Sequence, residues 1–192
     1  MENHSLILAS TSEIRRKLAS QFDSSIRFYS PKADEDALKK TLQGMEPVQL
    51  CYELAKAKSL SINHEFPNHL VLGCDQICLL ENKIFSKPKT VNRAIDQLKE
   101  LSGKTHYLIG QYVFSKDNSV IYEVEIICTM KMRELSLSEI QNYVNLDKPF
   151  SACGAYKYED NGHQLFSEVK GSLEAINGLP LSEIFKGFNQ TV

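Results

Sequence analysis

The stretch LILASTSEIRRKLASQF, residues 6–22, decides how the fold begins. Its apolar start indicates a buried strand over Ser5–Ala9, and the polar residues that follow predict a helix. Ser10 as N-cap, with Glu13 three residues later, fits the capping-box pattern. Three apolar residues at a spacing of four would form the buried stripe of this helix: Ile14, Leu18 and Phe22. The stretch therefore predicts the strand–helix start of an α/β protein.

The same stretch is a candidate anion site. A helix that follows a strand leaves backbone N–H groups free at its N-terminus, and the helix dipole favours phosphate there. Ser10, Thr11 and Ser12 supply hydroxyl groups, and Arg15 and Arg16 supply guanidinium groups suited to phosphate oxygens. The alternative is a capped helix with a solvated basic face, because capped helices are common.

Strands and helices alternate through the first half of the chain, and a long hairpin follows. The predicted elements are a strand over residues 26–30, a helix over 45–62, a strand over 69–80, a helix over 90–104 capped by Thr90 and closed by Gly103, a hairpin over 106–132 turning at Asp117–Asn118, a helix around 140–144 after a Ser136–Glu139 capping pattern, and a last helix from about Pro180. This order predicts a mixed, twisted sheet with flanking helices in a single domain over residues 1–192.

Composition excludes several classes of protein. The net charge of −2 argues against a surface coated by nucleic acid. The apolar runs are too short to cross a membrane, and the N-terminus lacks the pattern of a signal peptide, so we expect a cytoplasmic protein. The five cysteines have no paired zinc-ligand spacing, and we expect buried free thiols.

Carboxylates in two places suggest metal or proton chemistry. Asp75 interrupts an apolar strand, where a carboxylate is costly unless it is paired or bound to a cation. It could be a metal ligand or general base, or it could cap a turn at the strand end. Asp34, Glu35 and Asp36 form an acidic group that suits a hard cation such as Mg²⁺ or, alternatively, a solvated loop.

Two lysines are further candidates for binding an anion. Lys87 precedes Pro88, which keeps its backbone extended, so that its side chain could reach into a cleft. Lys58 lies in the helix over residues 45–62. The alternative for both is an ordinary solvent-facing lysine.

Taken in order, the motifs resemble the Maf family of nucleoside triphosphate pyrophosphatases. The matching segments are LILASTSEIRR, the acidic pair Asp34–Glu35, LAKAKS, LGCDQICLLENKIFSKP, LSGKTH, YVNLDKPFSACGAYKYEDNG and VKGSLEAINGLPL. The resemblance runs from Leu6 to about Phe188.

The resemblance implies an α/β fold like that of Maf and inosine triphosphatase, with two lobes around a deep cleft, usually in a homodimer. It implies a reaction that converts an NTP and water to NMP and pyrophosphate, with Mg²⁺ or Mn²⁺. Ser10, Ser12, Arg15, Arg16, Lys58 and Lys87 would hold the phosphates. Glu35 and Asp75 would serve as metal ligands and catalytic residues, with Asp75 as the proton acceptor.

The segments around Gln76 and Glu159 resemble the branch of the family that includes 7-methyl-GTP pyrophosphatases. A carboxylate such as Glu159 can accept hydrogen bonds from guanine N1–H and N2–H₂. Ile14 stands where that branch tends to have a tryptophan, so stacking of the base would differ here. Ile14, Gln76 and Glu159 are therefore the candidate specificity residues.

Two other functions are considered. One is a nucleotide-binding regulator linked to cell division that does not hydrolyse its ligand, although mere binding does not require a costly buried carboxylate. The other is an RNA-binding module that uses Arg15, Arg16 and Lys17. The net charge and the lack of an aromatic RNA-reading motif argue against this second function, so we expect no nucleic-acid partner.

Overall fold

The fold was analysed in a computed structural model that describes residues 6–191. Ser5, which the sequence assigns to the first strand, lies outside this range. The strands are β1 (Leu6–Ala9), β2 (Arg27–Tyr29), β3 (Leu70–Leu80), β4 (Lys83–Phe85), β5 (Thr105–Lys116), β6 (Ser119–Met132) and β7 (Phe166–Lys170). The helices are α1 (Glu13–Phe22), α2 (Glu35–Thr41), α3 (Pro47–Asn63), α4 (Val91–Leu101), α5 (Leu137–Asp147), α6 (Leu173–Ile176) and α7 (Leu181–Thr191). Short 3₁₀ helices cover Cys153–Ala155 and Asn161–Leu165.

Within residues 6–191, seven strands form one mixed sheet in the order β2-β1-β3-β5-β6-β7, with β4 paired to β3. β1 is parallel to both of its neighbours, and Ile7 pairs with Arg27 on β2 and with Val71 on β3. β4 is antiparallel to β3, and β7 is antiparallel to β6. The prediction of a mixed α/β sheet with flanking helices is confirmed.

The chain divides into two compact units. In the described range, unit 1 comprises residues 6–76, 110–126 and 177–191, and unit 2 comprises residues 77–109 and 127–176. Leu8, Leu72, Phe114 and Ile184 belong to the buried core of unit 1. In unit 2 the fully buried side chains include those of Phe85, Leu98, Met130 and Ile140.

Several local predictions are confirmed because the signals lie within a few residues. Asp117 and Asn118 both have positive φ, as a tight hairpin turn between β5 and β6 requires. The capping box of Ser136 and Glu139 is present at the start of α5. Thr90 caps α4, and Gly103 follows its end with φ of +72°.

The start of α1 differs from the prediction. Ser12, not Ser10, is the N-cap, and its Oγ accepts a hydrogen bond from the backbone N–H of Arg15. Ser10 instead continues the pairing of β1 with β2, since its N–H donates to the carbonyl oxygen of Tyr29 at 3.0 Å. The predicted buried stripe is wrong at Phe22, which is 47% exposed and stacks on Phe185. Ala19, which the predicted stripe omitted, is fully buried.

Helix α3 packs closely against β3, and this contact positions the candidate site. A Cβ atom at Gly73 would lie 2.8 Å from the Cβ of Ser59 and closer still to the backbone of α3. Glycine is therefore required for this approach. The buried stripe of α3 comprises Cys51, Leu54, Ala55, Lys58, Ser59, Ile62 and Asn63. Leu50 and Ala57 are apolar side chains of the same helix, but they are only partly buried.

The glycine-containing segment 154–178, to which the sequence assigned no element, includes β7 and α6. The five cysteines are free thiols, as predicted, but only four of them are buried, because Cys153 is partly exposed. No helix within residues 6–191 combines the length and the apolar character that a membrane crossing demands.

Candidate active site

The centre of the candidate site is an ion-pair group in unit 1. The Lys58 ammonium lies 2.7 Å from Oδ1 of Asp75 and 3.3 Å from Oε1 of Glu35. The side chains of Lys58 and Asp75 are only 9% and 16% exposed, whereas that of Glu35 is 39% exposed. Two carboxylates thus converge on one nearly buried ammonium group, one from β3 and one from the first turn of α2.

The charge of Lys58 is stabilised by its neighbours. Burial by itself lowers the pKa of Lys58, but the charges of Asp75 and Glu35, with the hydrogen bond to Asp75, outweigh it and raise the pKa above its ordinary value. Lys58 therefore stays protonated in its nearly buried position.

The second oxygen of Asp75 also has a partner. The Cys51 thiol donates a weak hydrogen bond to Oδ2 of Asp75 over 3.7 Å. Burial, followed by the charge of Asp75, raises the pKa of Cys51, so this thiol remains neutral. Asp75 is consequently held at both oxygens by side chains of α3.

The side chains of Arg15 and Arg16 extend toward different neighbours of β1 in the sheet. Nη1 of Arg15 donates to the carbonyl oxygen of Cys74 on β3 at 2.9 Å. Nε of Arg16 donates to the carbonyl oxygen of Ser10 at 2.8 Å, and its guanidinium lies 5.9 Å from the ring centroid of Phe28 on β2. The positive charge of Arg15 partly offsets the effect of the two carboxylates on the pKa of Lys58. Arg15 is therefore part of the electrostatic surroundings of the ion-pair group.

The hydroxyl groups before α1 are ordered by the backbone. Ser10, which is 5% exposed, accepts a hydrogen bond at its Oγ from the N–H of Ser12 at 3.2 Å. Ser12 Oγ is the N-cap of α1. A hydroxyl oxygen that accepts a hydrogen bond can still donate its own hydrogen to an anion.

The predicted acidic group is divided between two roles. Asp34 is the N-cap of α2, with its Oδ1 accepting from the N–H of Ala37 at 2.9 Å. Asp36 is exposed, and of the three carboxylates it is Glu35 that contacts Lys58. Of these three carboxylates, Glu35 therefore remains the candidate cation ligand.

The carboxylates that remain fit a divalent cation only in part. Among residues 6–191, no three His, Cys, Asp or Glu side chains cluster as a metal-binding group. Mg²⁺, however, is often held by one or two carboxylates together with substrate phosphates and water. Glu35 and Asp75 could supply such a pair of hard oxygen ligands.

The candidate specificity residues and Lys87 have different surroundings. Ile14 is half-buried in the first turn of α1, and Gln76 is half-buried on β3, next to Asp75. Lys87 and Glu159 belong to unit 2. Lys87 is exposed after β4, and Glu159 is exposed in a turn before the second 3₁₀ helix.

Two contacts were not predicted from the sequence. Cys51 was expected to be an ordinary core thiol, yet it contacts Asp75. Its position three residues before Leu54 and seven before Lys58 places the three on one helical face, which was the available signal. Gly178, in the NGLPL segment, lies against Arg15 and Gln76, and its φ of +87° fits the preference of such positions for glycine.

Comparison with known proteins adds a family and several relatives. The model of the family described as Maf-like protein matches residues 5–191. A Legionella pneumophila (strain Philadelphia 1) protein named nucleoside triphosphate pyrophosphatase is 34% identical, over 94% of this chain and 90% of its own length. A protein of the same name from Ruegeria sp. (strain TM1040) is 37% identical, over 96% and 94%. An Aliivibrio fischeri protein named 7-methyl-GTP pyrophosphatase is 36% identical, over 92% and 90%.

Proposed function

The chain belongs to the family of Maf-like proteins, and from this premise we propose that it is a nucleoside triphosphate pyrophosphatase. In this reaction, water and an NTP give NMP and pyrophosphate, so the enzyme is a hydrolase of acid anhydrides. The names of the Legionella and Ruegeria relatives support the reaction. The observation in this chain that carries the proposal is the convergence of Asp75 and Glu35 on the nearly buried ammonium of Lys58.

The triphosphate would bind at the start of α1. Backbone N–H groups there, with the hydroxyls of Ser10 and Ser12, suit phosphate oxygens. Arg15 and Arg16 would contact the phosphates from either side of β1, and Lys58 would contribute a third positive charge. Lys87 is proposed as a further phosphate ligand on the basis of the family resemblance.

Asp75 would accept the proton of the attacking water. Its Oδ1 is paired with Lys58, whereas its Oδ2 is contacted by the weak thiol donor of Cys51, so Oδ2 is the oxygen that would take this proton. Water would attack the α-phosphorus, the bond from that phosphorus to the bridging oxygen would break, and pyrophosphate would leave. The arginine and lysine charges would stabilise the negative charge that develops on the leaving oxygens.

We propose Mg²⁺ or Mn²⁺ as the cofactor, with Glu35 and Asp75 as its protein ligands. A divalent cation supplies charge neutralisation at phosphate oxygens and lowers the pKa of bound water. The rest of the coordination would come from the substrate and water, because the two carboxylates alone are too few.

The proposed substrates include modified nucleotides such as 7-methyl-GTP. The Aliivibrio relative is named for that activity, which supports this choice. Glu159 would accept hydrogen bonds from the guanine edge, and Ile14 and Gln76 would contribute to recognition of the base.

We also propose that the protein acts in the cytoplasm as a homodimer, with each chain forming a single domain. The family resemblance supports the dimer. The family match supports the single domain, since it runs through residues of both units.

A substrate panel tests the proposed function. Purified protein is incubated with Mg²⁺ or Mn²⁺ and ordinary or modified nucleoside triphosphates, and pyrophosphate and orthophosphate are measured separately. We expect equal amounts of NMP and pyrophosphate. Release of orthophosphate would contradict the proposed reaction, and tight binding without any product would favour the regulator.

A further inference from the structure

We propose that Gly178 and Gln76 are positioning residues that hold the guanidinium of Arg15 in a socket at the start of α1. The inference rests on the proposed function, because it gives that socket the task of fixing a phosphate-binding charge. It assigns Gln76 a role that acts through Arg15 and does not require contact with the base.

The backbone of Cys74 and the backbone of Gly178 form two walls of this socket. On one side, Nη1 of Arg15 donates to the carbonyl oxygen of Cys74. On the other side, a Cβ atom added to Gly178 would lie 3.1 Å from Nε and 3.2 Å from Nη2 of Arg15. The guanidinium therefore fits between β3 and the backbone before α7, where a side chain larger than hydrogen would crowd it.

Gln76 completes the socket. Its Oε1 lies 3.2 Å from the same added Cβ position, so the amide oxygen and the guanidinium approach one point. An amide oxygen is an acceptor and a guanidinium is a donor, so the chemistry of the two groups is complementary. Arg16 has different surroundings, because it contacts Ser10 and the ring of Phe28.

The consequence for binding is preorganisation. A free arginine side chain loses conformational entropy when it binds an anion. An arginine that is already held by its neighbours loses less, and its charge stays at one distance from Asp75 and Lys58. Substitutions that widen or fill the socket should therefore weaken phosphate binding, and they should do so only through their effect on Arg15.

The chain offers a matched control for a substitution at Gly178. Gly44 has φ of +91°, close to the +87° of Gly178, and a Cβ atom there would meet no described atom within 4 Å. Gly44→Ala therefore introduces the same backbone strain without crowding a neighbour. Gln76→Ala is a second socket variant that does not strain the backbone.

The first measurement is calorimetric binding of inorganic triphosphate, which has no base, in one buffer with EDTA and in another with Mg²⁺. We expect Arg15→Ala to weaken binding about tenfold, which corresponds to one charge-assisted hydrogen bond. Gly178→Ala and Gln76→Ala should each weaken it by about threefold to tenfold. Gly44→Ala should bind as the wild type does. The double variant Arg15→Ala/Gly178→Ala should match Arg15→Ala within about twofold.

The second measurement follows Arg15 itself without a ligand. The chain has five arginines, so their Nε–Hε signals in an NMR spectrum are assignable by substitution. We expect Gly178→Ala and Gln76→Ala to speed hydrogen exchange at Nε of Arg15, while Gly44→Ala leaves it unchanged. Unchanged exchange in both socket variants would overturn the proposal.

The other outcomes are equally decisive. If the losses from Arg15→Ala and Gly178→Ala multiply in the double variant, Gly178 does not act through Arg15. If Gln76→Ala alters the binding of nucleotides but not of inorganic triphosphate, Gln76 reads the base. If the wild type hydrolyses NTP but binds inorganic triphosphate in neither buffer, the positioning role fails while the proposed function stands. Absence of NTP hydrolysis with slow exchange at Arg15 would reject the function and retain the socket as a structural feature.

Discussion

The ion-pair group of unit 1 and a buried hydrogen-bonded pair of unit 2 differ in charge. In unit 1, the ammonium of Lys58 lies between the carboxylates of Asp75 and Glu35. Unit 2 buries a neutral pair, in which Nε2 of His106 and the hydroxyl of Tyr156 share a hydrogen bond of 2.9 Å. His106 is fully buried, and within residues 6–191 its Nδ1 has no hydrogen-bond partner.

The difference separates a reactive environment from a structural one. Buried charges of opposite sign remain ionised because each compensates the other, and such a group can respond to an anionic substrate. A buried imidazole that is paired with a neutral hydroxyl avoids the cost of charge by staying neutral, and burial lowers the pKa of His106 to about 4. We therefore expect substitutions in unit 1 to alter turnover, whereas acid should act on the stability of unit 2.

The largest effect is expected for Asp75→Asn. The amide keeps the size of the side chain but cannot accept the proton of water, so turnover should fall by about 10² to 10⁴-fold. Pyrophosphate release under saturating NTP measures this change, and thermal melting checks that the fold persists.

Asp147→Asn is the matched control in unit 2. Asp147 is buried and accepts hydrogen bonds from the backbone and side chain of Asn161. Its loss should lower the melting temperature and leave turnover unchanged. Near-normal turnover of Asp75→Asn, or an equal loss in Asp147→Asn, would remove Asp75 from the mechanism.

The next effect is a loss of stability in acid caused by His106. The unfolded chain takes up this proton near pH 6.5 but the folded chain only near pH 4, so the free energy of unfolding should fall as the pH drops through that interval. The total loss would be about 3 kcal/mol, and it should level off below the lower value.

Urea unfolding at several pH values measures this loss. His106→Phe should remove most of that slope, although it also sacrifices the hydrogen bond to Tyr156. His64→Gln, at an exposed position, is the control and should keep the slope. An unaltered slope in His106→Phe would show that other groups cause the acid sensitivity.

A smaller effect is expected for Arg16→Ala. Removing one charge-assisted phosphate contact should raise KM for NTP by about tenfold, with a smaller change in kcat if the contact exists equally in the ground and transition states. Steady-state kinetics measure both constants. Arg93→Ala, at an exposed position of α4, is the control. An unchanged KM would make Arg16 part of a solvated helix face.

The smallest effect is expected for Glu159→Gln. Loss of a guanine-facing carboxylate should reduce the preference for 7-methyl-GTP or GTP over pyrimidine nucleotides by about threefold to tenfold. Asp160→Asn tests whether any loss of charge in this turn has the same result. An identical substrate profile in wild type and Glu159→Gln would exclude the carboxylate from base recognition.

Local sequence signals predicted the elements whose determinants are adjacent in the chain. The hairpin at Asp117–Asn118 and the capping box of Ser136 and Glu139 depend on a few consecutive residues. The N-cap of the first helix was predicted wrongly at Ser10, whose backbone N–H instead donates to the carbonyl oxygen of Tyr29. That hydrogen bond depends on β2, which lies later in the sequence.

The sequence predicted which residues belong to the site, but it did not predict their contacts with one another. Asp75 and Lys58 were chosen separately, one for its apolar strand and one from the family resemblance. Their pairing depends on the approach of α3 to β3 at Gly73, which no spacing reveals. The same holds for Gly178 and Arg15, which are far apart in the chain but adjacent in unit 1.

The most direct test of the central claim is hydrolysis of NTP in water labelled with heavy oxygen, with mass spectrometry of both products. If Asp75 directs water to the α-phosphorus, one labelled oxygen will appear in NMP and none in pyrophosphate. Label in pyrophosphate, or release of orthophosphate, would show attack at another phosphorus and would contradict the mechanism.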